Sequence, residues 1–375
     1  MTDRIEIVDR AGLAALPEPD DPFARTRARY TRLLVAEGAA GLIDNADVET
    51  LALVADGEIW PLVLSNPSVV NADMCSPLTW YVRYVPAELT NVRGAAAGTV
   101  ALARALPMSA LLRLGSADRV VYVNNWLAAT NPAPGLPSPL VPAITDRLIE
   151  RWPDRAIVLR SIAPVLDPEA ATTLRAVGYT LIRSRRIYVV DGRDDALVRH
   201  GNVRRDLAAL ENTPYEIVGD PVRLAPHASR IAELYRGLYL GKYVRYNPQL
   251  NERFFERTIA GGLFRYQGLF RDGRLDGIVH SLVAGSVVGS FLLAHDQTVR
   301  RSAGLYRMLI ALLIRQAIDR QMRLNLSSGV GAYKELRGAR GVDEFDAVYD
   351  AHLPGRRRLA WSALRALSNR KAGRS

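Results

Sequence analysis

The sequence predicts an α/β (α+β) protein of two tandem lobes, each a mixed, mostly antiparallel sheet flanked by helices. Three observations predict it. The chain has 375 residues, more than one small core needs and about the size of two domains. The order helix, strand, helix, strand occurs twice, from Leu140 to Val190 and from Leu305 to Tyr349, each time after a hairpin or meander. The run Val287 to Ala294 is almost continuously apolar, which suits a central strand covered on both faces. Each half alone is too small to bury its sheet well, so a structural duplication is the economical reading. The expected division is an N-terminal lobe, 1–191, and a C-terminal lobe, 192–375, that ends in a basic helix.

The elements follow in order. Asp21 to Gly38 reads as an amphipathic helix, with Asp21 as cap and Pro22 in its first turn. Glu49 to Val54 and Ile59 to Leu64 form a hairpin around Asp56-Gly57, a pair suited to a tight turn. Residues 88–113 are Ala/Leu-rich and partly helical, Arg119 to Val123 is a short strand, and Asn131 to Pro142 is a Pro-rich loop, either a connector or a lid. A helix to Trp152, a strand Ala156 to Ile162, a helix capped by Asp167 and stopped at Gly178, and a strand Tyr179 to Val190 complete the first half. The polar hinge 191–195 leads into a helix over 196–210. Helices around 230–240 and 251–260 precede strands Phe264 to Phe270, Asp276 to Val283 and Val287 to His295. A buried helix Leu305 to Arg320, a strand Arg323 to Ser327, a short helix Val330 to Arg337 and a strand Glu344 to Tyr349 follow.

Composition narrows the function. Hydrophobic content of 49% with 23% charged residues describes an ordinary soluble protein. No apolar run reads as the ~20 residues that span a bilayer, and the N-terminus, with acids among bases, does not read as a signal peptide; the expected location is the cytoplasm. The single cysteine, Cys75, leaves no intrachain disulfide and no cysteine-based metal cluster, and no metal is expected. A formal charge of +10 points to polyanionic company: the phosphates of CoA, tRNA or an anionic membrane. Lys242, Lys334 and Lys371 are the only lysines, which singles each of them out.

The chemistry gathers around the junction between the Val287 strand and the Leu305 helix. A helix N-terminus offers unpaired N–H groups and partial positive charge. Arg300, Arg301, Ser302, Ala303 and Gly304 stand there, guanidinium groups beside a glycine that lets the backbone approach a phosphate closely. Downstream, Tyr333 and Lys334 set a phenol beside a cation, groups able to stabilise a leaving group or oxyanion, or else Tyr333 packs and Lys334 faces water. Four groups are candidate bases: His280, His295, Asp296 and Glu335. His280 alternates with Ile278 and Leu282, as a core histidine also would. Lys242, Tyr243 and Asn247 lie in an aromatic and cationic turn before the meander, which by itself reads as an amphipathic helix end.

This order of elements, with Arg301-Ser302-Ala303-Gly304-Leu305-Tyr306 before the buried helix and Tyr333-Lys334 after the next strand, resembles the GNAT acyltransferase superfamily and its FemAB-like double-domain branch. The resemblance is closest from Leu263 to Tyr349. It implies that Arg300, Arg301, Ser302, Ala303 and Gly304 bind the pyrophosphate of acyl-CoA and that Ala294, His295 and Asp296 hold the pantetheine arm. It also implies that Tyr333 protonates the leaving thiolate and that Lys334 faces the donor's carbonyl or leaving group. The acceptor pocket it implies is bordered by Lys242, Tyr243, Asn247 and His280. Tyr306 departs from the Gly or Ala usual at its position.

The expected activity is therefore acyl transfer from acyl-CoA to an amine of a small molecule, amino sugar or peptide, directly and without metal. One alternative is an aminoacyl-tRNA-dependent, FemAB-like transferase acting on a cell-wall or peptide precursor; the sequence lacks the long heptad run of such a coiled-coil arm. A second is a non-catalytic module binding RNA or membrane. The tail around Arg356-Arg357-Arg358 and Trp361 is a basic amphipathic helix, suited to an anionic membrane or to packing on the body through Trp361.

Overall fold

The computed structural model describes residues 5–132, 135–240 and 244–372. In chain order it contains β1 (Glu6–Val8), α1 (Arg10–Ala14), α2 (Pro22–Glu37), β2 (Val48–Ala55), β3 (Glu58–Ser65), α3 (Tyr84–Arg93), α4 (Ala95–Leu114), β4 (Val120–Val123), α5 (Val141–Arg151), β5 (Ala156–Ile162), α6 (Pro168–Val177) and β6 (Thr180–Asp191). It continues with α7 (Asp195–Arg199), α8 (Gly201–Glu211), β7 (Glu216–Val218), α9 (Pro221–Leu224), α10 (Ala228–Tyr239), α11 (Glu252–Ala260), β8 (Arg265–Arg271), β9 (Arg274–Ala284), β10 (Val287–Gly289), β11 (Leu293–His295), α12 (Leu305–Asp319), β12 (Arg323–Asn325), α13 (Gly331–Glu335), β13 (Arg340–Tyr349) and α14 (Gly355–Ala372).

The local signals act as their chemistry requires. Asp21 caps α2 by accepting from Ala24 N at 2.7 Å, and Asp167 caps α6 by accepting from Ala170 N at 3.0 Å. Gly178 ends α6 in the left-handed region, φ 104°. Asp56 and Gly57, at φ 50° and 77°, make the two-residue turn between β2 and β3.

Two compact units emerge, Met1–Ser184 with Tyr243–Gln249 and Glu344–Ser375, and Arg185–Lys242 with Leu250–Asp343. This differs from the expected boundary after residue 191. The chain leaves the first unit inside β6, returns to it briefly over Tyr243–Gln249 and re-enters it inside β13; the changes in β6 and β13 fall within extended strand, where composition carries no linker signal.

In the first unit β1, β2, β3 and β4 pair antiparallel in succession, β4 pairs β5 in parallel, and β5 pairs the end of β13 antiparallel. In the second unit β7, β8, β9 and β10 pair antiparallel, β10 pairs β12 in parallel, and β12 pairs the end of β6 antiparallel. The same pattern, an antiparallel run closed by one parallel pair, therefore occurs in each unit. Helix α12 forms the centre of the second core: Leu309, Leu313 and Ile314 pack with Val279, Val288 and Leu324, all nearly inaccessible to solvent. In the first core Trp60, Leu62, Val121 and Leu159 sit with Ile144 and Leu148 of α5.

Two expectations are corrected. The strand read as Val287 to His295 is two strands, broken at 290–292. The expectation that no apolar run reaches membrane-spanning length fails at α4, whose 20 residues are apolar enough to cross a membrane by length and composition.

Candidate active site

The break between β10 and β11 opens a fork in the second unit. β10 and β12 run in parallel through Val287–Arg323, Val288–Leu324 and Gly289–Asn325. One weaker bond follows, Ser290 N to Asn325 O at 3.4 Å, and then the strands separate. β11 stays with β9, pairing Leu293 with Val279 and His295 with Gly277. The chain after β12 turns to β6 instead, where Leu326 N donates to Tyr188 O at 2.9 Å. Among the described residues β11 pairs no strand but β9. Its other edge presents extended backbone, which can pair with an amide-bearing chain.

The mouth of this fork leads to the start of α12. Residues Arg301–Ala303 form a single 3₁₀ turn, Gly304 follows at φ 70°, and no side chain caps the helix. Only glycine takes that φ without strain. The first-turn N–H groups therefore point outward with the helix dipole behind them. Arg300 and Arg301 are exposed and no acidic residue stands in the first turn. Arg307, which the sequence hid inside an apolar helix, folds back over the same place: its Nε lies 3.4 Å from where a Cβ on Gly304 would be. Three guanidinium groups thus attend one uncapped helix start, an arrangement that fits a pyrophosphate.

Three rings link the fork to α13. Tyr306 lies 6.2 Å from His295 and 5.1 Å from Tyr333, ring centre to ring centre. Tyr333 is fixed from its other side by Arg337, whose guanidinium sits 3.5 Å from the ring centre, donates to Tyr333 O at 3.0 Å and pairs with buried Asp206 at 2.5 Å. The Tyr333 hydroxyl is buried, with no hydrogen-bond partner among the described residues. Burial pushes it up to about 12, with Arg337 acting in the opposite direction. A phenol held this way keeps its proton at neutral pH and has one donor bond unspent.

No protein family profile and no curated protein matches the chain. Among solved structures, FemX aligns over 92% of this chain and 97% of its own, with a TM-score of 0.50 at 11% identity. A conserved protein of unknown function from Bacteroides thetaiotaomicron aligns over 92% and 99%, with a TM-score of 0.48 at 13% identity. A tandem GNAT protein from the clavulanic acid biosynthesis pathway aligns over 92% and 98%, with a TM-score of 0.37 at 13% identity. The chain has a double GNAT fold. At such identities the likeness is one of fold, and the site rests on its own geometry.

Within this GNAT fold several sequence expectations change. Lys334 faces neither water nor the fork: it is 3% exposed, and Nζ donates to the backbone oxygens of Leu326, Ser327 and Ser328 at 2.8, 3.2 and 2.7 Å. All three ammonium protons are spent on the turn that carries the chain away from β12. Burial, with repulsion from Arg185, lowers the amine to about 7. Asp296 is a structural anchor rather than an available base. Its oxygens accept from Arg230 at 2.6 Å, Arg274 at 2.5 Å, Thr298 N at 2.8 Å and Thr298 Oγ1 at 2.6 Å. Burial pushes its carboxyl up, but the Thr298 bonds and Arg230 outweigh this and hold it at about 2.

His280 is fully buried against Phe264 and Phe291, at 5.0 and 4.0 Å, and burial lowers it to about 4, so it borders no acceptor. Asn247 is likewise engaged: its side chain accepts from Tyr84 Oη at 3.2 Å and donates to Val244 O at 2.9 Å, and its carbonyl accepts from Asn45 at 2.9 Å. Lys242 and Tyr243 lie outside the described residues. Glu335 is exposed, and His295 is half-buried beside the fork, with Gln297 Nε2 3.2 Å from its Nδ1. Ala294 is buried on β11, while Ser302 is exposed and Ala303 half-buried in the turn before Gly304.

The first unit has its own fork, after the parallel pairs Val123–Leu159 of β4 and β5. There Arg160 fills the opening, donating to Asn125 Oδ1 at 3.2 Å and Ala128 O at 3.1 Å. The loop before α5, residues 131–140, contains no charged residue.

Proposed function

We propose that the second unit binds acyl-CoA and transfers its acyl group directly to the amine of a small molecule, amino sugar or peptide. The observation that carries this reading is the conjunction of a strand fork with an uncapped, arginine-rich helix start at its mouth. The pyrophosphate takes the N–H groups of the α12 start with Arg300, Arg301 and Arg307 around it. The amide-containing pantetheine arm pairs with the open edge of β11, bringing the thioester between β11 and the Leu326 turn.

The amine nitrogen attacks the thioester carbonyl carbon, the C–S bond breaks, and the nitrogen loses a proton while the sulfur gains one. Tyr333 supplies the sulfur's proton, since its O–H is pushed up to about 12 and is without a partner among the described residues. His295, beside Tyr306 at the fork, or a water it orients, takes the amine's proton. Tyr306 narrows the fork between His295 and Tyr333 and selects how the acyl end enters. The open fork and its cationic mouth support a reaction in the second unit, and Arg160 in the first-unit fork supports a structural role there.

Tyr333→Phe tests the assignment. Release of free CoA from acetyl-CoA in the presence of an amine panel should fall by about 100-fold in kcat, with CoA affinity and thermal stability unchanged. An unchanged kcat would remove Tyr333 from the reaction. The +10 charge is the observation behind a second reading, an aminoacyl-tRNA donor; it requires tRNA binding where CoA binding is absent.

A further inference from the structure

Helix α4 of the first unit is apolar around its circumference, yet only 11% of its apolar stretch is buried. A helix of that composition belongs inside a core or in contact with lipid. The protein covers one side of it. Near its start a Cβ on Gly98 would meet Thr90 Oγ1 of α3 at 1.7 Å, and near its end a Cβ on Gly115 would meet Ala360 of α14 at 2.5 Å. The remaining side presents Val100, Leu102, Leu106 and Leu114, each at least half exposed. Its only charges are Arg104 and Arg113, which fall near the two margins of this apolar arc at about 100° per residue.

The surroundings are of one sign. No Asp or Glu occurs from Leu89 to Ala117 or after Asp350. Helix α14, tied to the end of α4 by Arg357 Nε donating to Gly115 O at 3.2 Å, adds exposed Arg356 and Arg358 beside exposed Leu359 and Leu367.

We propose that α4, with the start of α14, docks the protein on an anionic lipid surface, α4 lying in the plane of the interface. The apolar arc enters the acyl boundary while Arg104, Arg113, Arg356 and Arg358 meet lipid phosphates. A second copy of the chain fits less well, because the same cations would face each other. A spanning arrangement does not fit the return path: the helical run into the tip at Gly94, the π turn Thr79–Arg83 followed by α3, has 5 and 10 residues, about 22 Å against a hydrocarbon core of about 30 Å, and its first turn is buried in the protein at Thr79 and Val82. The start of α3 is held by Tyr84, whose hydroxyl donates to Asn247 at 3.2 Å. The inference does not depend on the acyltransferase reading.

The test is co-sedimentation of the full chain with vesicles of phosphatidylcholine alone and of phosphatidylcholine mixed with phosphatidylglycerol. Wild type should pellet with the mixed vesicles, be released from them at raised salt, and stay in the supernatant with the neutral vesicles. Leu102→Glu with Leu106→Glu, both exposed and so compatible with folding, should weaken binding by at least about tenfold. Arg356→Glu with Arg358→Glu should weaken it through an independent surface. No binding to the mixed vesicles, or equal binding by both variants, would overturn the proposal. So would a wild-type dimer that the α4 substitutions dissociate, since it would assign the face to a second copy.

Discussion

A buried phenol oxygen without a partner costs free energy that folding must recover elsewhere, and Tyr333 carries that cost beside Lys334, whose donors are all satisfied. The two neighbours therefore answer differently to substitution. Lys334→Met should leave three backbone oxygens without a donor and lower stability by about 2–5 kcal/mol in chemical denaturation. Loss of activity with an unchanged denaturation midpoint would instead assign Lys334 to the donor. Asp296 makes a pH prediction. Its folded pKa of about 2 lies below the ~3.9 of an unfolded aspartate, so its contribution is complete above pH ~4 and is lost as pH falls towards 2. With Arg274 more than half exposed and screened, Asp296→Asn should cost about 1–2 kcal/mol at pH 7, and the gap to wild type should close between pH 4 and 2. A gap constant with pH would contradict the ion-pair account.

At the scale of elements, the turn before α12 depends on one glycine. Gly304→Ala places a Cβ at φ 70°, in contact with Arg307 Nε at 3.4 Å, so it strains the turn that presents the first N–H groups of α12. The strain should cost about 1–2 kcal/mol of stability, and CoA affinity should fall by about tenfold or more. Unchanged affinity would place the phosphate elsewhere. That turn was legible in the sequence because Arg, Arg and Gly between an apolar strand and an apolar helix have few other uses, and the caps at Asp21, Asp167 and Gly178 were legible through their backbone chemistry. The break at 290–292 was not, because both pieces of strand are apolar and periodicity does not report where pairing stops. Arg307 was hidden for a related reason: three residues into an apolar helix it reads as a solvent-facing interruption, and only the backward lean of helical side chains brings it over Gly304. Lys334 stood out by rarity, but its burial follows from the turn over 326–328, which sequence spacing does not specify.

At the scale of the whole molecule, each unit repeats an antiparallel run closed by one parallel pair, and each opens a fork after that pair. The duplication could be read from the recurrence of element types, whereas the boundary could not, since the chain changes unit within β6 and β13. The repeat has diverged at its forks. One leads to arginines and an uncapped helix, and the other is filled by Arg160. Titration of CoA into wild type, Arg301→Ala and Arg160→Ala, followed by calorimetry, tests this division most directly. Saturable binding to wild type is expected, with affinity about five- to tenfold weaker in Arg301→Ala and wild-type affinity in Arg160→Ala despite lower stability. Binding that survives Arg301→Ala and is lost in Arg160→Ala, or no binding of CoA at all, would contradict it.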